Sequence, residues 1–353
     1  MKVLKVILYN FLFFLISIIL IEIFFGYWFD KNNFGPYMRE HRMKKNEYSL
    51  KEDNKIYNYT YTRNYYGFRG EEIEPQDINA IIIGGSTTDE RYKPENFTIT
   101  GYLNKKISQK NLNIKIINAG IEGQSTEGHL NNFRVWFPKL VNFNPKHIIF
   151  YIGINDQFKK IDEIENKKPT DGLIENPDKY ESLRDSLKSR SIFYDLLRKT
   201  KHKYYKNDEK RIIYDFDFSI KKYSTKEVFN FLNYYDALNQ YNIEKLVEMN
   251  KRRVKYYLNN IDQLSLEAKK IGAEAIFINQ LSSKGHHDKI LFSLNYSLIK
   301  HCKKKNYHCI DLAQKLEGKK DFWWDGIHTT SKGSKVIADL IFDELQDYLI
   351  SSN

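Results

Sequence analysis

A serine, a histidine and a carboxylate, which together can open an ester bond, stand in short glycine-bearing segments of this chain. Gly84-Gly85-Ser86-Thr87-Thr88 directly follows the apolar run Ala80–Ile83. Two glycines let the chain turn sharply and present a serine hydroxyl at a helix start, where backbone N–H groups can stabilise an anion. A Ser/Thr N-cap or a phosphate loop fits the same residues, although the GK[ST] ending and the GxGxxG pattern of nucleotide loops are missing. In Asn118-Ala119-Gly120-Ile121-Glu122-Gly123-Gln124-Ser125 the glycines permit close backbone approach, so that one N–H points into a site, or they make a plain turn. Gly153-Ile154-Asn155-Asp156 sets a side-chain amide where it can donate to an oxyanion or close an Asx-turn. Asp325-Gly326-Ile327-His328 spaces a carboxylate three residues from an imidazole, so the first can hold the tautomer of the second while the other ring nitrogen points outward. Nucleophile, orienter and base then fall in the chain order Ser86, Asp325, His328. Singly, each segment has an ordinary reading: DxxH alone is as readily a surface aspartate and a capping histidine.

Four chemical segments can serve one site only if the fold gathers them. Apolar runs at Ala80–Ile83, Ile114–Ile117, His147–Tyr151, Ala275–Ile278 and His308–Ile310 read as short buried strands separated by helical stretches. The strongest helices are expected over 243–270, 289–305 and 331–349. That alternation predicts a parallel sheet with helices on both faces. In such a sheet, ligands bind beyond the carboxyl ends of the strands, where these segments fall. Ile56–Thr62 alternates like a further strand, followed by the turn Tyr66-Gly67-Phe68-Arg69-Gly70. About 85 residues, 157–241, intervene between Asp156 and the next helix. A stretch so long predicts a folded insertion or lid over the site, with a helix near Ser191–Lys199.

The first thirty residues set the context. Val6 to Phe29 runs almost wholly apolar, about 36 Å as a helix, enough to cross a hydrocarbon core of about 30 Å. Lys2 and Lys5 precede it, which places the N-terminus in the cytoplasm and the remainder outside. The bulky exit Gly26-Tyr27-Trp28-Phe29 favours an uncleaved anchor over a cleaved signal. Glu22 near the outer end reads as an interfacial residue. The expected organisation is an anchor over 1–30, a polar, Tyr-rich lead-in over 31–75 and a catalytic domain over 76–353. A net charge of +11 suits an anionic partner. An exported domain does not meet chromosomal DNA, and zinc-finger spacing, basic-region heptads and RNA-binding aromatic motifs are missing, so no nucleic acid is expected. The oligomeric state is not legible. Two cysteines, Cys302 and Cys309, exclude a disulfide scaffold and leave free thiols or one local bridge equally open. His328 has no HExxH or matched ligand cluster beside it, and His286-His287 reads as an exposed loop pair, so neither metal nor cofactor is expected.

In this order, each after an expected element, the four segments resemble the SGNH (GDSL-like) hydrolase superfamily. GGSTT resembles its serine block, NAGIEGQS its glycine block, GIND its GxND block and DGIH its DxxH block. The resemblance spans about residues 66–349, and the YGFRG lead-in is similar to that of membrane-anchored bacterial members. It implies a flavodoxin-like three-layer α/β/α fold with a parallel five-stranded sheet. It also implies Ser86 as nucleophile, His328 as base, Asp325 as orienter, and an oxyanion hole from the Ser86 and Gly123 N–H groups and the Asn155 side chain. Gly85 replaces the aspartate of the family name, and Gly120 competes with Gly123 as the donor. The conventional α/β-hydrolase pattern is disfavoured, since no GxSxG surrounds Ser86. The implied activity is an extracytoplasmic serine esterase acting on O-acetyl or other short acyl groups of envelope glycans or lipids. An O-acyltransferase would use the same site. A non-catalytic scaffold on a degenerate hydrolase fold is opposed by the intact Ser86, Asp325 and His328.

Overall fold

The computed structural model describes residues 2–29, 34, 38, 41–161, 164, 187–188, 190–197, 200, 211–224, 234–316 and 320–351. The chain divides into two compact units, one of residues 1–40 with 174–210 and one of residues 41–173 with 211–353.

In the smaller unit, helix α1 (Lys2–Phe25) covers 24 residues with no acidic side chain in its first turn and no basic one in its last. Its apolar span, Val3–Phe25, is unburied, so it is not a core helix, and its length and composition fit a single-pass anchor or a signal sequence. Glu22 is not merely interfacial. It accepts hydrogen bonds from Trp28 Nε1 (2.9 Å), Ser191 Oγ (2.5 Å) and the Ile192 amide (3.2 Å), the last at the start of the helical residues 192–197. Those residues fall within the helix expected near Ser191–Lys199; positions 198 and 199 lie outside the described residues.

In the larger unit, strands β1 (Lys44–Glu52) and β2 (Lys55–Arg63) form an antiparallel hairpin. Then come β3 (Ala80–Gly84), β4 (Ile116–Asn118) and β5 (His147–Ile152), and, from the expected insertion, β6 (Ile212–Asp215). Strands β7 (Glu274–Asn279) and β8 (His308–Ile310) complete the set. Five of them make a parallel sheet in the order β4-β3-β5-β7-β8, the reversal at β3 that a flavodoxin-like doubly wound fold requires. A second sheet, β2-β1-β6, pairs the insertion strand parallel to the hairpin, Leu50 opposite Tyr214. The Arg69 amide joins the two sheets through the Asn118 carbonyl (2.9 Å).

The central strands are buried on both faces, which is why they read as continuous apolar runs rather than alternations. One face packs Ala80, Ile82, Ile149 and Ile278 against helix α3 (Ile99–Gln109) and the C-terminal helix (Ser331–Ser351). On the other, Phe150 meets Phe133 of helix α4 (Thr126–Val135) and stacks on Phe277 at 5.1 Å. Strand β4 begins two residues later than the sequence pattern suggests. The helix expected over 243–270 is two, Ile243–Met249 and Lys251–Lys270, because Asn250 folds its side chain onto the Leu246 carbonyl (2.9 Å) at the break.

Cys302, near the end of the helix Lys289–Lys305, and Cys309, in β8, are joined in a disulfide, which settles the alternative left open above. A bridge closing so short a loop restrains the unfolded chain by about 2 kcal/mol. Reduction, or paired Cys302→Ser and Cys309→Ser substitution, should lower the melting temperature by roughly 4–8 °C, read by scanning calorimetry with and without reductant.

Candidate active site

Strand β3 carries the chain into the site. Gly85 then gives way to Ser86 at the start of the single turn α2 (Ser86–Asp89). A Cβ on Gly85 would lie 2.1 Å from Asn155 Nδ2, so a side chain there would displace that amide.

Ser86 is half-buried, and its Oγ lies 2.8 Å from His328 Nε2, across 242 residues of chain. His328 Nδ1 lies 2.7 Å from Asp325 Oδ2, while Asp325 Oδ1 accepts the amides of Ile327 (2.8 Å) and His328 (2.6 Å). Burial works against the Asp325 carboxylate, but the hydrogen bonds from the His328 ring and the two amides outweigh it and hold the acid below its usual range. An ionised carboxylate only accepts, so Nδ1 carries the proton and Nε2 faces the serine hydroxyl with its lone pair. The arrangement can take a proton from Ser86 and stabilise the imidazolium that results.

Three donors belong to the serine turn and to the two turns packed beside Gly85. Asn155 follows Gly153, whose φ of 122° turns the chain out of β5. Its Nδ2 donates one proton to the Gln124 carbonyl at 2.7 Å and retains a second. Gly123 has φ of 76°, and its N–H meets no acceptor among the described residues, whereas the Gly120 N–H is held by Asn118 Oδ1 at 2.9 Å. Of the two glycines, only Gly123 keeps a donor available. The Ser86 amide, first in its turn, is likewise without an intramolecular acceptor.

Several residues that hold this geometry were not legible as site residues. Gln124 Nε2 donates to Asn132 Oδ1 (2.9 Å), and its Oε1 lies 3.2 Å from His129 Nδ1. Burial pushes His129 down to about 3, so its ring is neutral and donates from Nδ1. Gln280, just past β7, accepts the Ile154 amide (2.9 Å) and donates to Thr87 Oγ1 (2.8 Å), joining the serine turn to the Asn155 turn. Arg63 ties the hairpin to both the serine and glycine blocks through Asp89 Oδ1 and the Gly120 carbonyl, each 2.8 Å. Lys93 and Glu90, both fully buried, pair at 2.5 Å, and Lys93 also donates to the Thr329 carbonyl at 3.0 Å beside His328. The only hint in the sequence was the arginine of the YGFRG turn: Arg69 reaches the Lys93 carbonyl (2.7 Å) and Glu95 (2.7 Å).

Asp156 sits beneath Asn155 and accepts from the hydroxyl (2.5 Å) and amide (3.2 Å) of Thr126, fixing the start of α4. His286, expected to be exposed, is buried in the turn Gly285–His287 with its ring 6.1 Å from Tyr241, because the turn folds against the neighbouring helix; His287 is exposed. Among the described residues, no group of three or more His, Cys, Asp or Glu side chains is placed to hold a metal ion.

The sheet order with a serine at the end of its first parallel strand is that of the SGNH hydrolases. The profile of the family described as GDSL-like Lipase/Acylhydrolase matches residues 81–341, and the chain belongs to that family, serine hydrolases that act on ester bonds. Among solved structures, the chain is similar to TesA (10% identity, 76% of this chain and 98% of that one, TM-score 0.43). It is also similar to a variant of Axe2, an acetyl-xylooligosaccharide esterase from Geobacillus (13%, 78% and 96%, TM-score 0.43). A third is the psychrotrophic esterase EstA from Pseudoalteromonas sp. (16%, 77% and 98%, TM-score 0.40). No curated protein matches the chain.

Two outcomes test this geometry. Gly85→Ala should leave the circular dichroism spectrum intact while lowering ester turnover roughly 10²-fold or more, since it displaces the Asn155 amide beside the serine turn. Burial outweighs the Thr126 hydrogen bonds and pushes Asp156 up to about 6. Its folded-state pKa is raised, so the stability it contributes is complete below about pH 4 and is lost as pH rises through about 6. Asp156→Asn should remove that component. Relative to the variant, the wild-type protein should lose about 3 kcal/mol between pH 4 and 7 in urea titrations.

Proposed function

We propose that the protein is a membrane-anchored, extracytoplasmic serine esterase that removes O-acetyl or other short acyl groups from envelope glycans or lipids. The observation that carries this reading is the hydrogen-bonded series Ser86–His328–Asp325, assembled from opposite ends of the domain beside three unengaged donor protons. His328 Nε2 takes the Ser86 proton as Oγ bonds to the ester carbonyl carbon, and the oxyanion rests on the Ser86 and Gly123 amides and Asn155 Nδ2. Collapse breaks the bond to the alcohol oxygen, which leaves with the proton from His328. A water, deprotonated by the same nitrogen, then attacks the acyl-serine; the acid departs and Ser86 recovers its proton. Asp325 stays ionised and orients the ring throughout.

In this reading residues 1–30 are the anchor, 31–75 the lead-in and 76–353 the catalytic domain. Lys2 and Lys5 before the apolar span favour a cytoplasmic N-terminus. The Cys302–Cys309 bridge supports the same orientation, since disulfides persist in oxidising compartments.

The full chain in detergent micelles should hydrolyse p-nitrophenyl acetate faster than the octanoate. Ser86→Ala should reduce turnover to background and abolish labelling by a fluorophosphonate, whereas Asn155→Ala should retain labelling with turnover down ~10²–10³-fold. Full activity in Ser86→Ala would sink the assignment.

A further inference from the structure

The insertion strand β6 brings one tyrosine beside another on the hairpin, and Tyr92 links them to His328 and Ser86. Tyr92 sets its edge to the His328 ring at 5.1 Å and lies 6.2 Å from Tyr214 of β6. Tyr214 in turn meets Tyr48 of β1 edge-on at 5.5 Å. Trp324, sandwiched between Phe216 (4.9 Å, 12°) and His328 (5.7 Å, 20°), backs this row of rings. Tyr92 is buried, but Tyr48 and Tyr214 are half-exposed.

The rim of that surface is polar. Arg91 and Glu122 form an exposed ion pair immediately before Gly123, and both interact electrostatically with Tyr48 and Tyr214. The Tyr214 hydroxyl donates to no described group, and the Tyr48 hydroxyl accepts only a 3.3 Å bond from Asn46. Guanidinium donors, carboxylate acceptors and hydroxyls that do both therefore lie beside two half-exposed tyrosine rings, each also packed on neighbouring aromatics.

We propose that Tyr48 and Tyr214, with the Arg91–Glu122 pair, form a carbohydrate subsite, so that the alcohol part of the ester is a sugar ring. The proposal rests on the esterase reading above and selects glycans over lipids within it. A pyranose presents an apolar C–H face that an aromatic ring covers, and a circumference of hydroxyls that needs donors and acceptors in the plane of that ring. An acyl chain would cover the rings equally well but leave the ion pair and both hydroxyls desolvated without partners, which is unfavourable. The subsite belongs to the accessory sheet rather than to the triad, so substrate choice is set by residues that leave the reacting atoms alone.

The test uses the full chain in micelles with three probes: p-nitrophenyl acetate, a panel of O-acetylated xylo-, cello- and chito-oligosaccharides, and dioleoyl phosphatidylglycerol. The wild-type protein should prefer an oligosaccharide ester. Tyr214→Ala and Tyr48→Ala should each lower the ratio of oligosaccharide to p-nitrophenyl acetate kcat/KM by about tenfold, through KM, as expected for one lost ring contact. Tyr214→Phe, which keeps the ring, should recover most of that ratio and shows that the alanine effect is not misfolding. A ratio unmoved by either alanine, or preference for the phospholipid, overturns the subsite while Ser86-dependent p-nitrophenyl acetate hydrolysis persists. Loss of that hydrolysis as well would overturn the esterase reading and the subsite with it.

Discussion

The Lys93 ammonium, buried without access to solvent, is the joint on which the site's geometry depends. It sits seven residues beyond Ser86 and binds the Glu90 carboxylate, the carbonyls of Thr329 and Thr330 and the Ser334 hydroxyl. Glu90, held with φ of 46°, answers with the Ile99 amide and the hydroxyls of Thr329 and Ser334. A fully buried ion pair is stabilising only when hydrogen bonds saturate both partners, and removing one member typically costs about 3–5 kcal/mol. Here the saturating groups are the residues next to His328. The serine turn and the histidine loop therefore cannot separate without exposing an unpaired charge, and the 2.8 Å contact between them is maintained by a polar core as much as by the sheet.

Two further joints complete the frame. Gln280 couples the serine turn to the Asn155 turn, and Arg63 couples it to the glycine loop. Each bonds two segments at once, so the relative positions of hydroxyl, imidazole and donors are over-determined. Such over-determination permits the sharp turns at Gly153 and Gly123 to persist. The accessory sheet stands on this frame through Arg63 and Tyr61, whose hydroxyl donates to Asp89 at 2.8 Å.

The proposed reacting groups are readable in the sequence because a polar group at a strand end leaves a local mark: an apolar run, then glycine, then a polar side chain. Ser86 and Asn155 carry that mark; the Asp325–His328 pair is read from its own spacing, and the five buried strands from their apolar runs, with β4 displaced by two residues. The joints leave none. Lys93, Glu90, Arg63 and Gln280 resemble surface residues in their own neighbourhoods, and their partners lie up to 244 residues away. The pairing of β6 with β1 was hidden for the same reason, since Ile212 and Ile213 are exposed and a four-residue strand in a long insertion has no periodicity to read. The burial of His286 leaves no local mark either, because burial of a loop depends on what packs against it, here Tyr241, 45 residues earlier in the chain.

The bridge between Cys302 and Cys309 bears on how the chain matures. With only two cysteines there is a single connectivity, and with six residues between them the partners meet as soon as that stretch reaches an oxidising milieu. No isomerase has to choose among pairings, and no distant part of the chain has to arrive first. The crosslink can therefore close before the last helix docks and before His328 finds Ser86, so that covalent maturation precedes assembly of the reactive centre.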